Sequence, residues 1–222
     1  MSRRRRYRLL CPIARALDHV GDRWTLLLLR DLHAGPARFT DLQSGLTGIA
    51  SNLLAERLRD LESDRLIQRR HAEFGVTVYE LTEFGESTGD LLFSLARIGA
   101  HFPVDEDLQN QGNLRSIAVT LKEALRRVID PSTRISAGLL VDDEAFEIVI
   151  SNGDVAVLNR TPTHVDATVA TEYEPLMAVG DGELPLETFV HSQLEIVDGD
   201  PAKLAELSSL LADAFNELAV ES

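Results

Sequence analysis

Between residues 38 and 84 the hydrophobic period of the chain changes twice, and the order of those changes leaves few folds open. Arg38-Phe39-Thr40-Asp41-Leu42 starts a short helix that Gly45 ends, Ile49 to Leu61 keeps a helical period, and two strands then close on Tyr79-Glu80-Leu81-Thr82. The order is helix, turn, helix, hairpin. Thr40 is placed as the N-cap of the short helix, and Ile49, Leu54, Leu58 and Leu61 turn toward a core. The strands are expected over 67–72 and 76–81, with Gly75 at the tip.

Upstream, Ile13, Leu17 and Val20 fit one face of a helix that Gly21 ends, and Trp24 through Leu32 is so rich in leucine that it must be buried on several sides. A last helix of this part is expected over 83–102, presenting Leu91, Leu92, Leu95 and Ile98. Residues 103–113 lack any apolar period and read as a linker, which gives two domains, 1–105 and 106–222. The second opens with an amphipathic helix through Leu114, Ile117, Leu121, Leu125 and Val128. Strands follow over 134–141, 146–151, 154–158, 166–170 and 194–197, short helices over 174–179 and 185–192, and a final helix from Asp200-Pro201. The expected class is α+β, a mostly antiparallel sheet with helices on one side.

Charge divides along the same boundary. Residues 1–105 carry 15 Lys+Arg against 14 Asp+Glu, a net of +1, whereas residues 106–222 carry 7 against 22, a net of −15. Any surface for a polyanion therefore belongs to the first half. One cysteine excludes an intramolecular disulfide, and no apolar run is long enough for a signal peptide or a membrane span, so a cytoplasmic location without membrane insertion is expected. No phosphate-binding loop, zinc spacing or nucleophile elbow occurs, so no enzyme, cofactor or metal is expected.

Cys11-Pro12-Ile13, Gly21-Asp22-Arg23-Trp24, Gly35-Pro36 with Arg38-Phe39, Gly48-Ile49, Arg57-Leu58-Arg59-Asp60-Leu61-Glu62 and Tyr79-Glu80-Leu81-Thr82 together resemble the HxlR family of winged helix-turn-helix transcriptional regulators, related to the MarR type. The resemblance covers roughly residues 10–102. It implies a homodimer on a pseudo-palindromic operator in double-stranded DNA, held by the first and last helices of the domain through Leu10, Ile13, Leu17, Leu91, Leu92, Leu95 and Ile98. In several such regulators the cysteine before Pro-Ile senses oxidants or electrophiles; Cys11 occupies that place and reads either as a sensor or as a small packed hydrophobe. Two departures stand out: Ala50 where a capping serine is usual, and Arg65 where a glycine usually precedes the strand.

With Leu54, Leu58 and Leu61 inward, Asn52, Glu56 and Arg59 point outward, with Ser51 at the helix start; these are the expected base contacts, Glu56 serving either as one of them or as a brace for Arg59 or Asn52. Arg38 and Thr40 on the short helix and Arg69, Arg70 and His71 on the wing are assigned to the DNA backbone or minor groove. Arg57 lies nearer the flank, for phosphate or for an intrahelical ion pair. Arg3 to Arg6 form either a DNA-reaching arm or an untethered terminus.

Asp166-Ala167-Thr168-Val169, Glu174-Pro175-Leu176, Leu194-Glu195-Ile196 and Gly199-Asp200 resemble a sterol-carrier-protein-type domain. Such a domain implies an apolar tunnel. Ile148, Ile150, Val155, Val157, Leu176, Met177, Phe189, Leu211 and Phe215 either line such a pocket or fill it as core. The expected whole is a DNA-binding regulator modulated by a hydrophobic small molecule or lipid. The alternatives are a redox-responsive regulator sensing through Cys11 and a lipid-binding carrier whose helix-turn-helix serves protein interaction.

Overall fold

A computed structural model describes residues 7–72, 75–102 and 113–218. Packing divides the chain into two compact units, Met1–Thr88 and Gly89–Ser222. Arg3 to Arg6, the domain boundary expected at 105/106 and all of the expected linker except Asn113 lie outside the described residues. The packing boundary comes earlier than that linker, at Thr88/Gly89.

In the first unit, α1 (Pro12–Val20) begins with a proline whose missing N–H costs nothing there and ends as the Gly21 N–H closes on Leu17 O at 3.0 Å. Asp22 caps α2 (Arg23–Leu32) by accepting the Trp24 N–H at 3.0 Å, and Leu28, Leu29 and Leu32 are buried. Next come α3 (Phe39–Gly45), α4 (Ser51–Ser63), β1 (Ile67–His71), β2 (Thr77–Leu81) and α5 (Glu83–Glu86). Arg38, not Thr40, occupies the N-cap of α3. The Asp41 carboxylate accepts the Arg38 backbone N–H at 3.1 Å, which fixes the helix start two residues early and leaves Thr40 inside the first turn. In α4, Leu54, Leu58 and Leu61 are buried as their spacing requires, and Ala50 stands at the N-cap with no side-chain acceptor.

The departure at Arg65 has a backbone consequence. Its φ is +60°, the left-handed region, and the chain leaves α4 through it: Arg65 N–H reaches Glu62 O at 3.1 Å and Leu66 N–H reaches Leu61 O at 3.0 Å. Those two bonds define a Schellman ending, whose left-handed position suits glycine. An arginine there carries the steric cost of its Cβ. Arg65→Gly is expected to stabilise the unit by about 0.5–1 kcal/mol, the relief of strain being partly offset by a freer unfolded chain. Chemical denaturation should show a higher midpoint at unchanged slope.

The helix expected over 83–102 is interrupted. Ser87 and Thr88 hydroxyls donate to the carbonyls of Phe84 (2.7 Å) and Gly85 (2.6 Å), offering that backbone an alternative to helical bonds, and α5 stops at Glu86. The second part, α6 (Gly89–Gly99), packs with the second unit against α7 (Ser116–Val128), where Arg127 pairs with Asp90 and lies 4.1 Å over the Phe93 ring.

The second unit is α+β. Its sheet runs β5-β4-β3-β6-β7, with β3 (Ile135–Val141), β4 (Glu144–Ser151), β5 (Asp154–Asn159), β6 (Ala167–Thr171) and β7 (Glu195–Gly199). Every pairing is antiparallel except β3 with β6. Asn152 and Gly153, at φ +55° and +76°, make the tight β4–β5 turn. The other helices are α8 (Tyr173–Gly180), α9 (Leu186–Ser192) and α10 (Pro201–Leu218), the last capped by Asp200, whose carboxylate accepts the Ala202 N–H at 2.9 Å. Ile148, Ile150, Val155, Val157, Leu176, Leu211, Phe189 and Phe215 are buried, the last two edge to face at 5.4 Å. Met177 is 40% exposed and stands outside that core, a correction to its grouping with the others.

Candidate nucleic-acid interface

The outer face of α4 is polar because its inner face is leucine. Ser51, Asn52 and Arg59 are exposed and Glu56 is half-buried. Asn52 and Arg59 are seven residues apart, so at 3.6 residues per turn they lie within about 20° of one direction. Among the described residues Arg59 takes part in no ion pair. Ser51 is already engaged, its hydroxyl accepting from the amide of Gln43 on α3, which ties the two helices together at the start of α4. Gln43 carried no motif and was invisible in the sequence.

The hairpin places Arg69 opposite Tyr79, Arg70 opposite Val78 and His71 opposite Thr77, all three exposed on the β1 side. A bridge between Ala37 and Tyr79, with N–H···O distances of 3.0 and 2.8 Å, fixes the hairpin to the residue preceding Arg38. Arg38, Thr40, Arg59, Arg69, Arg70 and His71 thus all remain solvent-exposed on the first unit. Arg57 does not: it is held by Asp60 at 3.1 Å and Asp22 at 3.3 Å, so of its two expected roles the ion pair is the one occupied.

Two acidic residues that the sequence reading passed over complete the surface. Glu62, from the last turn of α4, takes the Arg69 guanidinium as a fork, with Nε at 2.9 Å from Oε1 and Nη2 at 2.7 Å from Oε2. Glu80 takes Arg70 Nε at 2.8 Å on one oxygen and Gln68 Nε2 at 2.9 Å on the other. The hydrogen bond from Arg69 is the main reason the Glu62 carboxyl is held below the ordinary glutamate range, and the bond from Arg70 does the same for Glu80. A depressed carboxylate contributes stability above its unfolded pKa and loses it as pH falls through the folded value. Carboxyl-carbon NMR titration of Glu62 and Glu80 should therefore give midpoints below about 4.3, the value for free glutamate. The wing pairs should persist down to that region and open only beneath it. Neither partner is legible without the fold: Gln68 and Glu80 face each other only in the hairpin register, and Glu62 reaches Arg69 from another element.

Apolar side chains are also exposed. On α1 and the segment before it, Leu10 (96%), Ile13 and Leu17 face solvent; on α6, Leu91, Leu95 and Ile98 do. Leu92 does not belong with them, being buried beside Phe93. Consecutive helical residues point about 100° apart, and here that turn takes Leu92 inward while Leu91 stays outward. Cys11 is exposed just ahead of α1. No helix among the described residues is long and apolar enough to cross a membrane.

A model of the HxlR-like helix-turn-helix family matches residues 19–106. The HTH-type transcriptional regulator YtfH of Escherichia coli (strain K12) is 34% identical over 93 residues, which cover 39% of this chain and 70% of that protein. The HTH-type transcriptional regulator YodB of Bacillus subtilis (strain 168) is 37% identical over 79 residues, 34% of this chain and 70% of that protein. The solved reduced form of YodB from B. subtilis superposes with a TM-score of 0.39 at 28% identity, over 44% of this chain and 100% of that one.

Proposed function

The chain belongs to the family of HxlR-like helix-turn-helix transcriptional regulators, and from that premise we propose that it binds a pseudo-palindromic operator as a homodimer, with α4 in the major groove and the wing against the backbone. The observation that carries this reading is the exposed row of Asn52 and Arg59 over a leucine inner face, with Glu56 between them. Asparagine matches adenine, arginine matches guanine, and a glutamate accepts from cytosine N4. Ser51 opens the same helix, Arg38, Thr40, Arg69, Arg70 and His71 meet phosphate or the minor groove, and Arg57 braces α4 through Asp22 and Asp60. Two subunits associate through the apolar side chains exposed on α1 and α6, which are more than isolated surface leucines and are a cost to a monomer.

The second unit is assigned to a hydrophobic effector of lipid type, with a sterol-carrier-like fold. Its support is the order of elements around the sheet and the apolar set from Ile148 to Phe215 between strands and helices. Regulation is then a coupling free energy between effector and operator. A second reading rests on Cys11, whose exposure leaves the thiol open to oxidants. Retention of oxidant-induced release by Cys11→Ser removes it.

The test is selection of preferred duplexes from a random pool by the full chain, repeated with extracted cellular lipids, alongside sedimentation at micromolar concentration. Enrichment of a two-fold symmetric sequence by a dimer is the expected result. A monomer, or no enrichment, overturns the operator reading; unchanged affinity with lipid bound overturns the effector.

A further inference from the structure

The wing arginines are not waiting for phosphate with empty hands. Arg69 and Arg70 each have about half of their side-chain surface in solvent, at 52% and 50%, yet each guanidinium is already occupied by a carboxylate of the same unit. The Arg69–Glu62 contact is a two-nitrogen, two-oxygen fork, the same planar match that a guanidinium makes with a phosphate. Glu62 belongs to α4 and Arg69 to β1, while Glu80 and Arg70 lie on the two strands of the hairpin. Gln68 holds the second oxygen of Glu80, so that carboxylate is oriented rather than merely nearby. Arg59 on the outer face of α4 carries no such partner among the described residues.

We propose that Glu62 and Glu80 are internal competitors for the DNA backbone, carboxylates that stand where phosphates would and hold down sequence-independent binding, so that discrimination rests on the open side chains of α4. The proposal rests on the DNA-binding reading above. Its physical content is charge. The two arginines and their two glutamates sum to zero charge, and sequence-independent affinity follows the number of DNA counterions released per cation brought to the duplex. A cation that must leave a carboxylate, and leave it unpaired beside a phosphate, contributes little to that release. The acidic pair therefore lowers attraction for any duplex without touching a base.

The test uses the full chain, a random-sequence duplex and the selected operator, with affinity measured across a salt series. Each of Glu62→Gln and Glu80→Gln should tighten binding to the random duplex about 5–10-fold near 0.1 M salt and steepen the log–log salt slope by roughly 0.9. The double variant Arg70→Ala/Glu80→Gln removes a neutral pair and should return the slope to that of the unmodified chain. Circular dichroism of each variant guards against unfolding, and should Glu62→Gln unfold, the Glu80 pair of variants decides the matter alone. If Glu80→Gln leaves the slope unchanged, or weakens random-duplex binding, the glutamates position the arginines instead and the proposal is overturned. If the unmodified chain binds no duplex at all, it is the DNA-binding reading that has failed, and the two failures are told apart by that one control.

Discussion

Gly85→Ala is expected to destabilise the first unit by about 3 kcal/mol or more, a large part of the 5–15 kcal/mol that holds a domain folded. A Cβ at Gly85 would overlap the carbonyl oxygen of Leu66 and sit 3.0 Å from its carbon, with Leu81 Cδ2 at 3.1 Å. The obstacle is backbone, not the end of a flexible side chain. Leu66 O is itself fixed, accepting the Thr82 N–H at 3.1 Å, while the Thr82 hydroxyl donates to Arg65 O at 2.6 Å and accepts the Gly85 N–H at 3.0 Å. To admit the methyl group, α5 must move off the chain entering β1, and the Thr82 bonds that join them are lost with it. Gly75→Ala, at the wing tip, is the comparison: among the described residues no atom lies within 4 Å of its Cβ, so its φ of +74° is what opposes the change, at about 1 kcal/mol. Denaturant midpoints for the two variants should differ accordingly; equal losses would mean that the close approach to Leu66 yields without strain.

That contact also marks the limit of what the residues disclose by themselves. Leucine spacing placed α4 and its buried face, and Asn152-Gly153 placed the β4–β5 turn, because both signals are local and each residue type has one conformational use there. The break after Glu86 depends on Ser87 and Thr88 hydroxyls choosing nearby carbonyls over solvent, and on a glycine pressed against the Leu66 carbonyl, 19 residues earlier. A helical period runs straight through such a site. The cap of α3 went to Arg38 for a similar reason: a backbone N–H was captured by Asp41, and the Thr40 hydroxyl was not needed. The outward face of α4 was legible because it is what the leucines leave over. The carboxylates facing the wing arginines were not, since Glu62 meets Arg69 only after the Schellman ending at Arg65 has turned the chain, and Glu80 meets Arg70 only in the hairpin register.

Arg59→Ala is expected to lower affinity for the selected operator by about 1–3 kcal/mol, on the order of 5- to 150-fold, while relaxing preference at one base step in each half-site. Arg59 is exposed, lies on the same face as Asn52 and, among the described residues, has no carboxylate to leave, so on the proposed reading a base edge would meet the guanidinium without first opening an ion pair. Its loss therefore appears chiefly where a guanine was being read. Arg70→Ala should behave in the other way: random and selected duplexes weaken together and the salt slope flattens by roughly 0.9, because what disappears is a charge and what remains is Glu80. The measurement is a panel of operator variants with single base substitutions, bound by each protein at two salt concentrations. For Arg59→Ala the panel should flatten at one position and keep its shape elsewhere. For Arg70→Ala it should shift as a whole. A uniform shift for both would place Arg59 on phosphate, and the reading of sequence would then fall to Asn52 and Glu56 on the same helix.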